Sequence, residues 1–112
     1  MIRYTAGEIL LAELPFTSGT SRKIRPVPVV LDTGDEDVMV APITTSPATS
    51  PGSVTVGDFR QAGLVKPSAV RLHKIATIHK SRTISRLGQL SSSDFSEVAP
   101  VWRRVFTAWG AA

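Results

Sequence analysis

Turn-forming residues recur so closely along most of this chain that only short segments of regular structure fit between them. Pro15 ends the apolar run "GEILLAEL", and the polar stretch "FTSGTSRK" that follows carries Gly19. Further on, "DTGDED" forms an acidic turn, and "TTSPATSPGS" holds two prolines and a glycine, each of which opposes regular structure. The pattern predicts several short strands joined by tight turns and bends.

The apolar segments between these turns are predicted to form the strands. Gly7–Leu14 is typical of a strand, although its periodicity also fits a short helix. Pro28 interrupts the next strand, so that strand lies at an edge, bulges or bends. "DFRQAGL" has the residues of one helical turn, with Asp58 as its cap and Gly63 as its exit. The other predicted strands are Val27–Leu31, Asp37–Ile43, Val54–Val56 and one or two strands within "AVRLHKIATI".

The C-terminal end changes to helical spacing. Asp94 and Glu97 have the spacing of a capping box with Asp in the Ser/Thr role, Gly110 is a natural stop, and Pro100 would kink the axis. The two tryptophans share the apolar face and are assigned to a core or a dimer contact. That face comprises Phe95, Val98, Trp102, Val105, Phe106 and Trp109.

These elements predict a mainly β fold with helical additions. We expect residues 1–112 to form a single domain, a small SH3-like antiparallel barrel with a C-terminal amphipathic helix. No cysteine is present, which excludes disulfides and thiolate metal sites. No apolar run is long enough to span a bilayer and no signal peptide is evident, so we expect a cytoplasmic protein without a membrane partner.

Charge is segregated along the chain. Four of the nine acidic residues fall between Asp32 and Asp37, whereas the segment Arg60–Arg86 has seven cations and no acid. Such a stretch raises the local potential and attracts phosphates, but it is equally typical of a solvated basic face. The seven cations are Arg60, Lys66, Arg71, Lys74, Lys80, Arg82 and Arg86.

Several kinds of chemistry lack support in the sequence. Neither a phosphate-binding loop nor a dinucleotide fingerprint is present, so no cofactor is predicted. His73 and His79 are six positions apart without a nearby carboxylate, which disfavours a metal site. No serine lies in a nucleophile elbow. Arginines, threonines and a basic stretch suit RNA phosphodiester chemistry, because the ribose hydroxyl of the substrate is itself the nucleophile.

Ordered motifs along the chain resemble one family. "GEILLAELP", "KIRPVPVVL", "VMVAPITTS" and "AGLVKPSAVRLHKIATIHKSRTISRLGQLS" follow one another as in the MazF/PemK toxins of bacterial toxin–antitoxin systems. The resemblance covers roughly Gly7–Phe106. It implies a homodimeric barrel that cleaves single-stranded RNA without a metal ion, leaving a cyclic phosphate and a free 5′-hydroxyl. It also implies a cognate antitoxin whose acidic, disordered tail blocks the site.

The resemblance assigns candidate site residues. The catalytic arginine of the family falls on Arg25 and its strand-end threonine on Thr44. Arg71 matches a further arginine of some members, but His73 stands where those members have an aspartate. Pro28 is another departure, since this strand more often reads RPVVVV. The predicted RNA-binding residues are Arg22 and Lys23 on a flexible lip, together with Thr45, Ser46, Arg71 and His73.

Other interpretations remain open at the level of sequence. Arg25 could form a surface ion pair with Asp32 or Asp35, and the Thr44 hydroxyl could cap a turn. His73 would share a face with Arg71 if their segment is a strand, or it could be structural. The whole chain could instead be a non-cleaving nucleic-acid binder, a gyrase poison on the same barrel, or an SH3-like module that recognises protein alone.

Overall fold

Eight strands and one helix make up the part of the chain that the computed structural model describes, residues 2–15, 22–47 and 50–110. The side chains of Arg22 and Trp109 lie outside that description, as do residues 16–21 before β2 and residues 48–49 in the loop after Thr44. Short 3-10 turns occupy Leu72–Lys74 and Lys80–Arg82. The elements are β1 Glu8–Pro15, β2 Arg22–Leu31, β3 Asp37–Val40, β4 Ile43–Thr44, β5 Ser53–Val56, β6 Ser68–Arg71, β7 Ala76–His79, β8 Thr83–Gln89 and α1 Ser92–Gly110.

The strands form two antiparallel sheets. Five strands lie in the order β7-β3-β2-β1-β8, and three lie in the order β4-β6-β5. Every strand pairing within the described residues is antiparallel. The predicted fold class, mainly β and antiparallel with a C-terminal helix, is therefore confirmed.

Strand β1 is covered on both of its faces, which explains its continuous apolar run. Successive side chains of a strand point to opposite faces. Ile9 belongs to a core cluster with Val70 and Leu72, whereas Leu10 belongs to a second cluster with Val27. Both Ile9 and Leu10 are fully buried. The segment is a strand, and the alternative of a short helix is wrong.

The predicted strand Asp37–Ile43 is divided between the two sheets. Strand β3 ends at Val40, and β4 begins at Ile43 and pairs with β6 in the other sheet. Pro42 lies in the connection, where the N–H that it lacks is not needed for a ladder. Val40 is buried and Ile43 is half-buried.

Strand β2 accommodates its prolines by pairing on one side only over most of its length. Residues 22–28 pair with β1, and pairing with β3 begins at Val29, with a register shift before Leu31. The Pro28 carbonyl accepts from the Ala41 N–H at 3.2 Å, beyond the end of β3. Since the N and C=O of one strand residue point to the same side, the Pro28 nitrogen points away from β1. Its missing donor thus removes no hydrogen bond from the β1–β2 ladder.

The helix cap differs from the predicted one. Ser91, not Asp94, is the N-cap, because its Oγ accepts the Asp94 N–H at 3.1 Å. The Asp94 carboxylate instead accepts the N–H groups of Gly57 and Asp58 at 2.9 and 2.8 Å. Asp94 is therefore used to dock the start of α1 onto the turn after β5. The sequence pattern placed the cap three residues too late.

Part of the predicted apolar face of α1 packs on the barrel. Val98 and Trp102 lie against the core cluster that contains Ile9, together with Val101. Phe95 and Phe106 share the predicted face, yet they remain 41% and 46% exposed. Trp102 is half-buried and packs against this cluster, in agreement with its assignment to a core or a dimer contact.

A single helical turn follows β5, as predicted. The Ala62 N–H donates to the Asp58 carbonyl at 3.2 Å, and Gly63 leaves the turn with a φ of +82°. The carboxylate of Asp58 does not cap this turn but accepts from the Ser91 hydroxyl at 2.6 Å. A methyl group at Gly63 would lie 2.4 Å from the Leu87 carbonyl oxygen, so the turn presses directly on β8.

Gly63→Ala should therefore lower the free energy of unfolding by roughly 2 kcal/mol, through both the positive φ and the clash with Leu87. Urea denaturation measures the loss. Gly57→Ala is the matched control, since its nearest contact would be an ordinary 3.4 Å to Asp94. A Gly63→Ala protein as stable as the Gly57→Ala control would contradict the close packing described here.

A buried ion pair ties the N-terminal segment to the first sheet. The Lys80 ammonium lies 3.0 Å from Asp32 Oδ2, and their side chains are 9% and 0% exposed. Asp32 also accepts the N–H groups of Tyr4 and Gly34, each at 2.8 Å. Burial raises the pKa of Asp32, but these two hydrogen bonds and the Lys80 charge outweigh it and lower that pKa to about 2. Lys80 further donates to the Ile2 carbonyl at 2.7 Å.

Candidate functional site

Two clefts meet at Arg25. The first, which we call the cationic cleft, has a volume of about 520 Å³ and is lined by Lys23, Arg71 and Lys74. The second, the turn cleft, has a volume of about 640 Å³ and is lined by Thr45, the segment 63–66 and Leu87. Arg25, Ile43 and Thr44 line both clefts and so form the wall between them. Both volumes are typical of ligand-binding sites.

Arg25 is exposed on β2, opposite Ala12 of β1. Its Nη1 donates to the Ile24 carbonyl at 3.3 Å, and no carboxylate in the described ranges forms an ion pair with it. Asp32 is bound to Lys80, and Asp35 accepts the Asp37 N–H. The alternative of an ion pair with Asp32 or Asp35 is therefore wrong. The guanidinium keeps most of its donors for a ligand.

Thr44 ends β4 at the mouth of both clefts. Its Oγ1 accepts the Ser46 N–H at 3.1 Å, so the predicted turn-capping hydrogen bond is present. That bond uses a lone pair and leaves the hydroxyl proton free to donate to a ligand. Capping and ligand binding are thus compatible, and the cap also fixes the direction of the hydroxyl. Thr45 lines the turn cleft, whereas Ser46 is exposed and lines neither cleft.

Two more of the predicted cations, Lys23 and Arg71, line the cationic cleft. Arg71 ends β6, where its N–H donates to the Pro42 carbonyl at 2.9 Å. Lys23 is exposed at the start of β2. Lys74 joins them because the 3-10 turn Leu72–Lys74 carries it into the cleft. The sequence predicts Lys74 only as one of the seven cations of the basic stretch. The absence of acidic residues from that stretch is the signal that could have identified Lys74 as a ligand-binding residue.

His73 does not share the face of Arg71. Strand β6 ends at Arg71, and the 3-10 turn ends the two-residue alternation on which that prediction depended. His73 packs on Gly52, where an added methyl group would lie 2.6 Å from its Nδ1. It lines neither cleft, although its side chain is exposed. A role for His73 in RNA binding stays a prediction.

The fold sorts the seven cations of the basic stretch into two groups. Three of them meet acids from the first third of the chain: Lys80 meets Asp32, Arg82 lies 3.7 Å from Glu13, and Arg86 lies 2.9 Å from Glu8. Arg60 lies over the Phe59 ring. The other three line the two clefts and form no ion pair with a described carboxylate: Lys66, Arg71 and Lys74.

Other sites were sought in the same part of the chain. An apolar cavity of about 80 Å³ lies beneath α1, next to Val29 and Trp102, and none of the candidate residues lines it. Within the described residues, no three His, Asp or Glu side chains lie close enough together to hold a metal ion. None of the helices described there has the length and apolar character needed to cross a membrane.

Comparisons with known proteins agree with this geometry. Residues 5–106 match the sequence model of the family described as PemK-like, MazF-like toxin of type II toxin–antitoxin system. The fold matches the Mycobacterium tuberculosis toxin MazF-mt6, with a TM-score of 0.73 and 27% identity over 89% of this chain and 96% of that one. A comparison with curated protein sequences gives no match.

Two more distant solved structures show the same fold. An endoribonuclease from a mycobacterial species has a TM-score of 0.74 and 17% identity, over 96% of this chain and 94% of that one. A mycobacterial endoribonuclease in complex with its cognate antitoxin has a TM-score of 0.73 and 16% identity, over 94% of this chain and 96% of that one. The architecture is therefore conserved across chains of low sequence identity.

Proposed function

The chain belongs to the family of PemK-like, MazF-like toxins of type II toxin–antitoxin systems, and from that premise we propose that it is an endoribonuclease that cleaves single-stranded RNA. Cleavage of mRNA in the cytoplasm is then how it acts as a toxin. The observation that carries the proposal is Arg25, an exposed arginine without a described carboxylate partner, on the wall between two clefts.

The reaction follows from what this wall offers. The ribose 2′-hydroxyl attacks the adjacent phosphorus, the bond from phosphorus to the 5′-oxygen breaks, and the products are a 2′,3′-cyclic phosphate and a free 5′-hydroxyl. One proton leaves the 2′-oxygen and one is gained by the 5′-oxygen. Arg25 binds the non-bridging oxygens and stabilises the charge that grows on them, and the Thr44 hydroxyl donates to the same phosphate. The nucleophile is part of the substrate, so the proposed chemistry uses no cofactor.

The side chains around Arg25 and Thr44 bind the RNA strand. Lys23, Arg71 and Lys74 give the cationic cleft a row of donors that match a phosphate backbone. Thr45 lies across the wall in the turn cleft. The earlier assignments of Arg22, Ser46 and His73 to RNA binding belong to the same proposal.

The proposed partners follow from the family and from the positive charge of the cationic cleft. A cognate antitoxin with an acidic, disordered tail would complement the cations around Arg25 and exclude RNA. A mycobacterial neighbour is in complex with its cognate antitoxin, which supports this part of the proposal. We assign the active form to a homodimer, with RNA lying across its face.

Incubating the purified protein with a labelled single-stranded RNA in EDTA tests the function. We expect defined fragments with cyclic-phosphate and 5′-hydroxyl ends, and no cleavage of DNA of the same sequence, because DNA lacks the 2′-hydroxyl. Expression without an antitoxin should also stop growth. Retention of RNA without cleavage would indicate a non-cleaving binder on this scaffold, and an intact RNA that is not retained would contradict the proposal.

A further inference from the structure

The turn cleft differs chemically from the cationic cleft on the other side of Arg25. The cationic cleft has three further cations, Lys23, Arg71 and Lys74, whereas Lys66 is the one other cation that lines the turn cleft. Apolar side chains line both clefts: Leu64, Val65 and Leu87 in the turn cleft, and Leu14, Val40 and Ile78 in the cationic cleft. An RNA strand that crosses the wall at Arg25 therefore contacts three further cations on one side and a single further cation on the other.

Val65 is the most exposed large apolar residue among those described, at 91%. Its neighbour Leu64 is buried in the core at 6%, which anchors the segment from below. Gly63 anchors it from the other side, since its positive φ and its contact with the Leu87 carbonyl leave no room for a side chain. The backbone thus holds Val65 in solvent at the edge of the turn cleft, where none of the described residues covers it.

The ligand chemistry of the two clefts follows from these side chains. Phosphate contacts position a nucleic acid, whereas contacts with the bases distinguish sequences. A base has an apolar face and carries no charge, so it fits a cleft edged by Val65 and Leu87. The phosphates fit Lys23, Arg71 and Lys74.

We propose that the turn cleft receives one base next to the scissile phosphate, that Val65 contacts this base and contributes to the choice of cleavage sequence, and that the cationic cleft holds the phosphate backbone on the other side. The inference rests on the proposed ribonuclease function. It adds a residue that sets sequence preference and divides recognition between the two clefts.

Val65→Ser and Lys74→Gln separate the two roles. Each variant is incubated with a single-stranded RNA library of random sequence, the fragment ends are sequenced, and kcat/KM is measured from low to high salt. Val65→Ser should relax the preference at one position beside the cut by about fivefold and leave the salt dependence unchanged. Lys74→Gln should keep the preference and reduce the slope of log kcat/KM against log salt by about 0.7.

Leu31→Ser is the matched control, because Leu31 is also exposed and apolar but lies at the far end of β2 from Arg25. Thermal melts establish that each variant is folded. If the wild type shows a sequence preference that Val65→Ser retains at every position, the inference is wrong although the ribonuclease function stands. A Lys74→Gln protein with altered base preference, or a wild type without any preference, would also overturn it. A wild type that cleaves no RNA instead removes the proposed function, and the inference with it.

Discussion

Arg25→Ala should reduce RNA cleavage by roughly 100- to 1,000-fold, the usual loss when one preorganised donor to a transition-state oxyanion is removed. Arg25 is exposed, and its guanidinium donates to the neighbouring Ile24 carbonyl at 3.3 Å, so the substitution removes little that the fold needs. Initial rates on a single-stranded RNA under single-turnover conditions measure the loss. Expression of the variant should also no longer stop growth.

Two further variants separate geometry from charge. Arg25→Lys keeps the positive charge but loses the planar fork of donors, so we expect it to remain at least about tenfold below the wild type. Arg103→Ala removes an exposed arginine of α1 that lines neither cleft and should cleave like the wild type. Near-normal cleavage by a folded Arg25→Ala protein would show that the reaction centre lies elsewhere.

Asp32→Asn should lower the free energy of unfolding by about 3–5 kcal/mol, because it leaves the buried Lys80 ammonium without its counter-charge. Asn keeps only one of the two carboxylate oxygens, so it can accept either the Tyr4 or the Gly34 N–H, and the loss combines the missing charge with one missing hydrogen bond. Denaturant unfolding at neutral pH measures it. Asp35→Asn is the matched control, since Asp35 is exposed and its one hydrogen bond is to the nearby Asp37 N–H.

The contribution of Asp32 should also depend on pH in a defined direction. Its pKa falls from 3.8 to about 2 on folding, so the folded state favours the ionised form. The stabilisation is therefore fully present above about pH 4 and is lost as the pH falls toward 2. The difference in unfolding free energy between the wild type and Asp32→Asn should shrink over that interval. A difference that stays constant from pH 5 to pH 2 would contradict the assigned pKa.

Local patterns identified short strands whose side chains alternate between turns. The alternation of Val54 and Val56 identified β5, and the positive φ at Gly63 agreed with its assignment as a turn exit. The predictions were wrong where contacts between distant parts of the chain determine the local structure. The break at Pro42 depends on the second sheet, and Ser91 caps the helix while the Asp94 carboxylate binds the turn after β5.

The candidate site was predictable in its arginine and threonine but not in its surroundings. Arg25 and Thr44 carry the motifs of the family, and their side chains meet at one wall as expected for residues that act together. Val65 and Lys74 have no motif of their own. Val65 is a candidate because it is exposed, and its exposure depends on the packing of Gly63 on Leu87. Lys74 lies in its cleft because of a 3-10 turn, which the alternation of side chains along a strand does not predict.

Folding pairs three of the seven cations of the basic stretch with carboxylates, and this has a consequence for the chain before it folds. Lys80, Arg82 and Arg86 meet Asp32, Glu13 and Glu8 only after distant segments come together. The unfolded or newly synthesised chain therefore presents all seven cations to any polyanion, whereas in the native protein carboxylates bind three of them. A polyanion opposes folding by mass action only if it binds the unfolded chain better than the native protein. The three ion pairs limit that competition, because folding withdraws their cations from such a ligand.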